Sequence, residues 1–272
     1  MVAIAIGVGV IVFIGVALAL SFIDDRVKSS WDVESFIGVN LLGIIPNLNT
    51  IKEDERYSLV LDGSQAPGVE AFLSVYSSAK IHSKLDFPKS VLITSTIPGE
   101  GKTLVSCNFA GSFARHGKRT LLIDCDLRRP MLHRHFKQQN NAGLIPWFEA
   151  GANIEGDLTR DVNLGIIKVG DNLSLLTSGG RSKSPTELLE NPLFGQLLER
   201  LKKYYDLVVV DDSDHGADHD DHHRSADHHD HRRDWREKLA VHCPSVALQN
   251  FFHPHGCREQ ELKGAVVPIP GE

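Results

Sequence analysis

The chain has 272 residues, of which 42% are hydrophobic and 24% are charged, so a wholly disordered, collagen-like or disulfide-scaffold chain is excluded. Its formal net charge of -6 argues against a general nucleic-acid binder, which would carry the opposite sign. The four cysteines are few and scattered, which indicates reduced thiols in a cytosolic compartment.

The chain begins with an uncharged apolar segment. Residues 1–23 are almost entirely Val, Ile, Ala, Leu, Phe and Gly, and this run is long enough to cross a bilayer as a helix. No basic residue precedes it, as one would in a secretory signal peptide, and Arg26 and Lys28 follow it. We therefore predict a transmembrane helix with its C-terminal side in the cytoplasm. A buried core helix is the weaker alternative, because no polar face interrupts the run.

Residues 24–68 are predicted to be a juxtamembrane linker. Within them the pattern favours a short amphipathic helix over 33–40 and an extended segment over 41–46, and residues 47–67 are polar with Gly and Pro near their end. Helical spacing then covers residues 70–81, where one face carries Phe72, Val75, Tyr76 and Ala79.

A phosphate-binding loop is predicted between a buried strand at 90–94 and a helix at 104–115. The loop has the sequence Pro-Gly-Glu-Gly-Lys-Thr, in which backbone N–H groups converge on phosphate oxygens and glycine lets the backbone approach the anion. Lys102 would reach the β- and γ-phosphates, and Thr103 would offer its hydroxyl to Mg²⁺. Thr96 stands where the general pattern has glycine, and a plain glycine turn is the alternative. The predicted nucleotide contacts are Pro98, Gly99, Glu100, Gly101, Lys102, Thr103 and Leu104.

Aspartates follow two more apolar strands, predicted at 119–123 and 206–210. Asp124 and Asp126 come after the first strand and Asp211 after the second. The carboxyl ends of parallel strands line the ligand crevice of such a sheet, and carboxylates there bind Mg²⁺ directly or through water. A solvated turn at the end of a strand is the alternative for each aspartate taken singly.

The remaining elements complete the predicted core. Residues 173–176 form a short strand, and residues 185–203 an amphipathic helix whose leucine stripe belongs to the core, with Ser184 as its cap. Together the elements predict an α/β fold: a P-loop NTPase-like parallel sheet with flanking helices, preceded by one transmembrane helix.

These motifs resemble the bacterial tyrosine autokinases of capsule and exopolysaccharide synthesis. Residues 94–103 resemble their Walker A motif, residues 121–130 the Walker A′ motif and residues 205–211 the Walker B motif. The Asp-x-Asp-Leu-Arg-Arg-Pro sequence of the second motif is the most specific. The resemblance covers about residues 1–211. Within this range, Gly143-Leu144 and residues 184–189 also resemble the family.

The resemblance implies a membrane-anchored protein-tyrosine kinase that uses ATP and Mg²⁺ and regulates polysaccharide polymerisation and export. Its catalytic residues would be Lys102, Asp124 and Asp126, one of the two aspartates being the base for the incoming tyrosine. Thr103, Asp126 and Asp211 would hold Mg²⁺. The kinase core would be residues 69–211, on the cytoplasmic side of the bacterial inner membrane. Its partners would be polysaccharide export and polymerisation proteins and other copies of itself.

Three departures from the family point to an alternative, a catalytically impaired nucleotide-binding scaffold of the same machinery. The oligomerisation motif Glu-x-x-Arg-x-x-Arg keeps Glu70 but has Leu73 and Tyr76 at the arginine positions, which argues against ring assembly. The prolines that follow the Walker B motif are missing, and no tyrosine follows Tyr205, whereas the family ends in a tyrosine-rich tail. A partitioning-type ATPase is disfavoured because the loop has no second lysine.

Residues 212–272 are predicted to be an irregular tail. Residues 211–231 contain 8 Asp and 7 His and have no apolar period. Read one base later, Asp and His codons become Ile, Met or Thr codons, so we interpret the tail as the product of a frameshift that hides an apolar stretch. A metal-binding tract and a disordered acidic tail are the alternatives.

Overall fold

The computed structural model of the chain describes residues 40–63, 65–83, 87–95 and 99–212, with positions 4, 6, 7, 9–11 and 13–15 and the strand at 246–250. The strands are β1 Asn40–Ile45, β2 Ser90–Ile93, β3 Thr120–Asp124, β4 Ile167–Lys168, β5 Leu173–Leu176, β6 Leu207–Asp211 and β7 Val246–Asn250. The helices that bear on the argument are α1 Val69–His82, α2 Lys102–Arg115, α3 Leu132–His135, α4 Leu144–Glu149, α5 Pro185–Glu190 and α6 Pro192–Tyr204.

A five-stranded sheet in the order β2-β6-β3-β5-β4 forms the centre of the fold. The first four strands in this order are parallel, as predicted. Strand β6 lies between β2, which precedes the glycine loop, and β3, which leads to Asp124 and Asp126. The fifth strand corrects the prediction of a wholly parallel sheet, because β4 runs antiparallel to β5. With only two residues, β4 is too short to show a period in the sequence.

Both faces of the sheet are covered, which explains why its strands are nearly continuous apolar runs. Alternate residues of one strand point to opposite faces. Leu122 packs with α1 and α2, while Leu121 and Ile123 pack with α4 and α6. Helix α2 is buried along its length, from Leu104 to Ala114. It lies between the sheet on one side and α1 with the segment before it on the other.

That segment corrects the prediction of a polar linker over residues 47–67. Leu48, Leu59 and Val60 are buried in the core that also contains α2. Asn108 of α2 fastens the segment: its Nδ2 donates to the carbonyl of Arg56 at 2.7 Å, and its Oδ1 accepts from the N–H of Val60 at 3.3 Å. The extended segment before it is confirmed as β1.

The predicted helix over residues 185–203 is two helices. Asn191 ends α5 in an extended conformation and caps α6, where its Oδ1 accepts from the N–H of Leu193 at 3.0 Å. Pro192 then occupies the first turn, the position where a missing N–H costs nothing. Ser184 precedes α5 but makes no side-chain cap bond. The leucine stripe is buried as predicted, through Leu197, Leu198 and Leu201.

Several predictions fall largely outside the described residues. The described positions between 4 and 15 are helical and exposed, and in the described part of the chain no helix is long and apolar enough to cross a membrane. The predicted helix over 33–40 is described only at its last residue, which is strand. Residues 213–245 and 251–272 are also outside, and so is the frameshift hypothesis. Within 246–250 the prediction of an irregular tail is wrong, because β7 pairs in parallel with β1.

Gly143 gives a test of how tightly the loops at the carboxyl edge are packed. Its φ is 151°, and a Cβ there would lie 2.2 Å from the carbonyl oxygen of Thr177 and 2.4 Å from the N atom of Gly179. Since both are backbone atoms, Gly143→Ala is expected to cost about 3 kcal/mol or more in denaturant unfolding. The matched control is Gly195→Ala in α6, which has open space around it and should stabilise the chain slightly. Equal stabilities of the two variants would contradict this packing.

Candidate active site

The carboxyl ends of β2, β6 and β3 meet at the start of α2. Asp124 and Asp211 are directly paired in the register of β3 and β6, and Asp211 is paired with Ile93 at the end of β2. Asp126 follows in a turn in which its N–H donates to Asp124 Oδ1 at 3.2 Å. The predicted convergence of the three aspartates at one edge of the sheet is therefore what the topology produces.

Helix α2 begins directly after the glycine loop. Gly99 and Gly101 have φ values of 83° and 86°, in the left-handed region that favours glycine. Gly101 is the residue before the first helical turn, and α2 starts at Lys102. The first N–H groups of a helix have no partner within it, so those of Lys102, Thr103 and Leu104 are available to an anion. Pro98 lies outside the described residues.

Lys102 is buried among carboxylates. Its side chain is 7% exposed, and burial lowers its pKa. The charges of Asp211, Asp212 and Asp126, in that order, oppose this shift and favour the ammonium form. The ammonium is thus held by negative charge at the first residue of α2, where it can also reach a phosphate.

Asp124 and Asp211 are buried side by side. Burial raises the pKa of Asp124 well above its usual range, and the neighbouring charge of Asp211 raises it further. Burial also raises the pKa of Asp211 from 3.8 to about 7. Two hydrogen bonds partly oppose this rise: Ser106 Oγ donates to Asp211 Oδ1 at 2.7 Å, and the side chain of Thr103 donates as well. Two carboxyls that resist ionisation in this way are stabilised as carboxylates by a cation.

The donor set at this edge suits Mg²⁺, which prefers carboxylate, hydroxyl and phosphate oxygens and keeps several waters. Thr103 and Asp211 are in contact, and Asp124 adjoins Asp211. Among the described residues, no three His, Cys, Asp or Glu side chains are grouped as a protein-only metal site. Phosphate oxygens and water would therefore have to complete the coordination, as is usual where Mg²⁺ arrives with a nucleotide.

The two aspartates of the Walker A′ motif differ in accessibility. Asp124 is fully buried, and its Oδ2 accepts from the N–H of Leu132 at 3.2 Å while its Oδ1 accepts from Asp126. Asp126 is half-buried, and its Oδ1 accepts from the N–H groups of Arg128 and Arg129 at 3.2 and 2.8 Å. Of the two, Asp126 is the carboxylate that a molecule from solvent can reach.

The sequence pattern does not indicate two buried polar residues of this edge, Asp212 and Ser106. Asp212 is 2% exposed, and its Oδ2 accepts from Thr94 Oγ1 at 3.2 Å. Ser106 supports Asp211. Asp212 was assigned to the irregular tail because it opens the Asp/His-rich stretch, and its place directly after Asp211 was the available signal. Ser106 lies one helical turn after Thr103, which is the spacing that puts two residues on one face.

The part of the chain that contains these motifs is similar to known proteins. Residues 91–225 match the family described as the CobQ/CobB/MinD/ParA nucleotide binding domain. The chain is 40% identical to the tyrosine-protein kinase CpsD of Streptococcus pneumoniae over 124 residues, which are 45% of this chain and 52% of CpsD. It is 26% identical to the succinoglycan biosynthesis transport protein ExoP of Rhizobium meliloti over 224 residues, which are 72% of this chain and 28% of ExoP.

A solved structure agrees with these relatives. The kinase domain of the Escherichia coli tyrosine kinase ETK matches with a TM-score of 0.57 and 28% identity, over 69% of this chain and 74% of that domain. The chain thus resembles bacterial protein-tyrosine kinases in sequence and in fold, and this resemblance supports that enzyme class. It spans about half the length of CpsD and little more than a quarter of ExoP.

The raised pKa of Asp211 has a consequence for stability. Unfolded, this carboxyl titrates near 3.8, and in the folded chain near 7, so between these values the folded state binds more protons. The free energy of unfolding of the nucleotide-free chain should therefore fall as the pH rises from about 4 to about 7, by up to about 4 kcal/mol. Asp211→Asn should remove this loss and be more stable than the wild type at pH 8, measured by denaturant unfolding.

Asp206→Asn is the control of opposite sign. Asp206 is paired with Arg119 at 2.7 Å on the surface, and this contact lowers its pKa. The ion pair contributes to the free energy of unfolding at neutral pH, and this contribution is lost as the pH falls through the lowered pKa. Because the pair is on the surface, Asp206→Asn should lower the free energy of unfolding at pH 8 by less than about 1 kcal/mol. If the free energy of unfolding of Asp211→Asn depended on pH as that of the wild type does, the raised pKa of Asp211 would be contradicted.

Proposed function

We propose that the chain is a membrane-anchored, ATP-dependent protein-tyrosine kinase of exopolysaccharide or capsule synthesis. The observation that carries the proposal is the burial of Lys102 among Asp211, Asp212 and Asp126 at the first turn of α2. A phosphate chain and a divalent cation together would neutralise this arrangement of one ammonium, several carboxylates and the first N–H groups of the helix. Phosphoryl transfer needs little else from a protein than such positioning and charge neutralisation.

In this proposal, different residues of the site bind the phosphates, bind the metal and accept the proton. The N–H groups of Lys102, Thr103 and Leu104 and the Lys102 ammonium bind the phosphates. Thr103 and Asp211 would hold Mg²⁺, and Asp124 beside them would hold water bound to it. Mg²⁺ when bound supplies charge neutralisation to the transferred phosphoryl group. Asp126, the accessible carboxylate, orients the tyrosine hydroxyl and takes its proton.

Two observations support the place of the protein in the cell. The described N-terminal side chains include exposed apolar residues, among them Ile4, Ile11 and Phe13, as a helix in lipid would present. The relative ExoP is named for succinoglycan biosynthesis and transport. We infer that residues 1–23 anchor the chain in the bacterial inner membrane, with the kinase core in the cytoplasm and the polysaccharide polymerisation and export proteins as its partners.

The acceptor tyrosine is supplied by another protein in this proposal. The chain has four tyrosines and none after Tyr205. Tyr76 is buried and stacks on His116, with ring centroids 3.8 Å apart, so it serves packing. The same contact explains how an aromatic residue replaces arginine in the oligomerisation motif and supports a kinase that does not form the family's ring.

Replacing Lys102 separates the kinase from a scaffold. Lys102→Met should lower phosphotyrosine formation on an added tyrosine peptide at least about 10²-fold, because it removes the charge that meets the phosphates. Lys118→Met, at an exposed residue before β3, is the matched control and should act as the wild type. Phosphotyrosine is read by antibody and nucleotide binding by titration with a fluorescent ATP analogue.

The accessible base gives a second readout. Asp126→Asn should keep the ATP-analogue affinity within a few-fold while phosphotyrosine formation falls by about 10²-fold, because the hydroxyl is then no longer oriented. Analogue binding by the wild type without any phosphotyrosine would instead support the nucleotide-binding scaffold. Unchanged phosphotransfer in Lys102→Met would overturn the role of Lys102, which carries the proposal, and would also exclude the scaffold.

A further inference from the structure

Basic residues lie near Asp126 in the turn after β3, in α3 and in the loop after β5. The backbone N–H groups of Arg128 and Arg129 donate to Asp126 Oδ1, so both side chains start next to the accessible carboxylate. The loop after β5 is tied to this turn because the N–H of Ser182 donates to the carbonyl of Leu127 at 2.9 Å. We name the basic rim by its members: Arg128, Arg129, Arg134, Arg181 and Lys183.

The basic rim is exposed and largely without acidic partners. All five of its residues face solvent. Within the part of the chain that the structure describes, the members other than Arg128 form no ion pair with a carboxylate. Residues of α3 and of the loop after β5 affect the same side chain. Burial lowers the pKa of His133, and the positive charges of Arg134 and Arg181 lower it further.

Such a rim is unusual for this chain and for this edge of its sheet. The formal net charge is -6, and the residues behind the rim are the carboxylates of Asp124, Asp211 and Asp212. An acidic molecule that approached these carboxylates without the rim would be repelled at the short distances over which charges act in salt, about 8 Å. The rim reverses the sign of the charge on the side from which an acceptor must reach Asp126.

We propose that the basic rim binds acidic residues that flank the acceptor tyrosine of a protein substrate. Guanidinium groups suit this task because they bind carboxylates with two hydrogen bonds in a fixed geometry. The inference rests on the proposed function for the meaning of the site. A protein segment fits better than an anionic membrane surface, because the rim borders the accessible base, where a single chain segment must enter.

The test measures binding without phosphoryl transfer, in the full-length chain. Two labelled peptides carry a central Phe in place of the acceptor Tyr, flanked by Asp in one and by Asn in the other. Fluorescence anisotropy should show tighter binding of the Asp peptide, with an advantage that shrinks at high salt. Arg181→Glu/Lys183→Glu should weaken binding of the Asp peptide about tenfold and leave the Asn peptide nearly unchanged.

The matched control is Lys89→Glu/Lys118→Glu, which makes the same charge change at two exposed lysines on the opposite edge of the sheet. It should bind the Asp peptide as the wild type does. Equal binding of the two peptides, or equal losses in the two double variants, would overturn the proposal. So would rim-dependent binding to phosphatidylglycerol vesicles without any preference between the peptides. ATP-analogue titration of the same samples shows separately whether the nucleotide site itself is intact.

Discussion

The burial of two carboxyls side by side under the start of one helix is the constraint on which this structure depends. Asp124 and Asp211 face each other across paired strands, and burial raises the pKa of both. A fold that removes two such groups from water stabilises them only if it also supplies donors or a cation. Ser106 and the N–H of Leu132 supply donors. Lys102 and the first N–H groups of α2 supply positive charge, and under the proposed function a cation and phosphates would add to it.

Helix α2 joins this site to the segment that leads from the N-terminus. It is buried on all sides, and the side facing away from the sheet is covered by α1 and by residues 46–63. Asn108, at the middle of the helix, bonds to Leu104 and Ser112 within the helix and to Arg56 and Val60 of that segment. The segment that the sequence presents as a linker is thus a layer of the nucleotide-binding unit. A chain anchored through residues 1–23 would hold that unit close to the membrane.

Charge is sorted at the carboxyl edge of the sheet. The carboxylates lie inside, where nucleotide and metal would neutralise them, and the basic rim lies outside, where a substrate would approach. This separation follows from the turn after β3, where Asp126 Oδ1 holds the N–H groups of the two arginines and so turns the chain from buried acid to exposed base within three residues. Under the two proposals, the acceptor would therefore meet the arginines of the Walker A′ motif, and the metal-bound nucleotide its aspartates.

The sequence by itself determined the four parallel strands of the central sheet, the glycine loop and the three aspartates that converge on it. These follow from local rules: apolar runs buried on both faces, glycine where φ is positive, and the shared edge of parallel strands. The tertiary structure alone decided the rest. The break at Asn191 follows from the local cap and Pro192, whereas the tertiary structure made β4 antiparallel, buried Leu59 and Val60, and brought Asp212 and Ser106 to the site. Each of these depends on contacts between residues distant along the chain, such as Thr94 with Asp212, and no local pattern encodes which distant partner will satisfy a buried polar group.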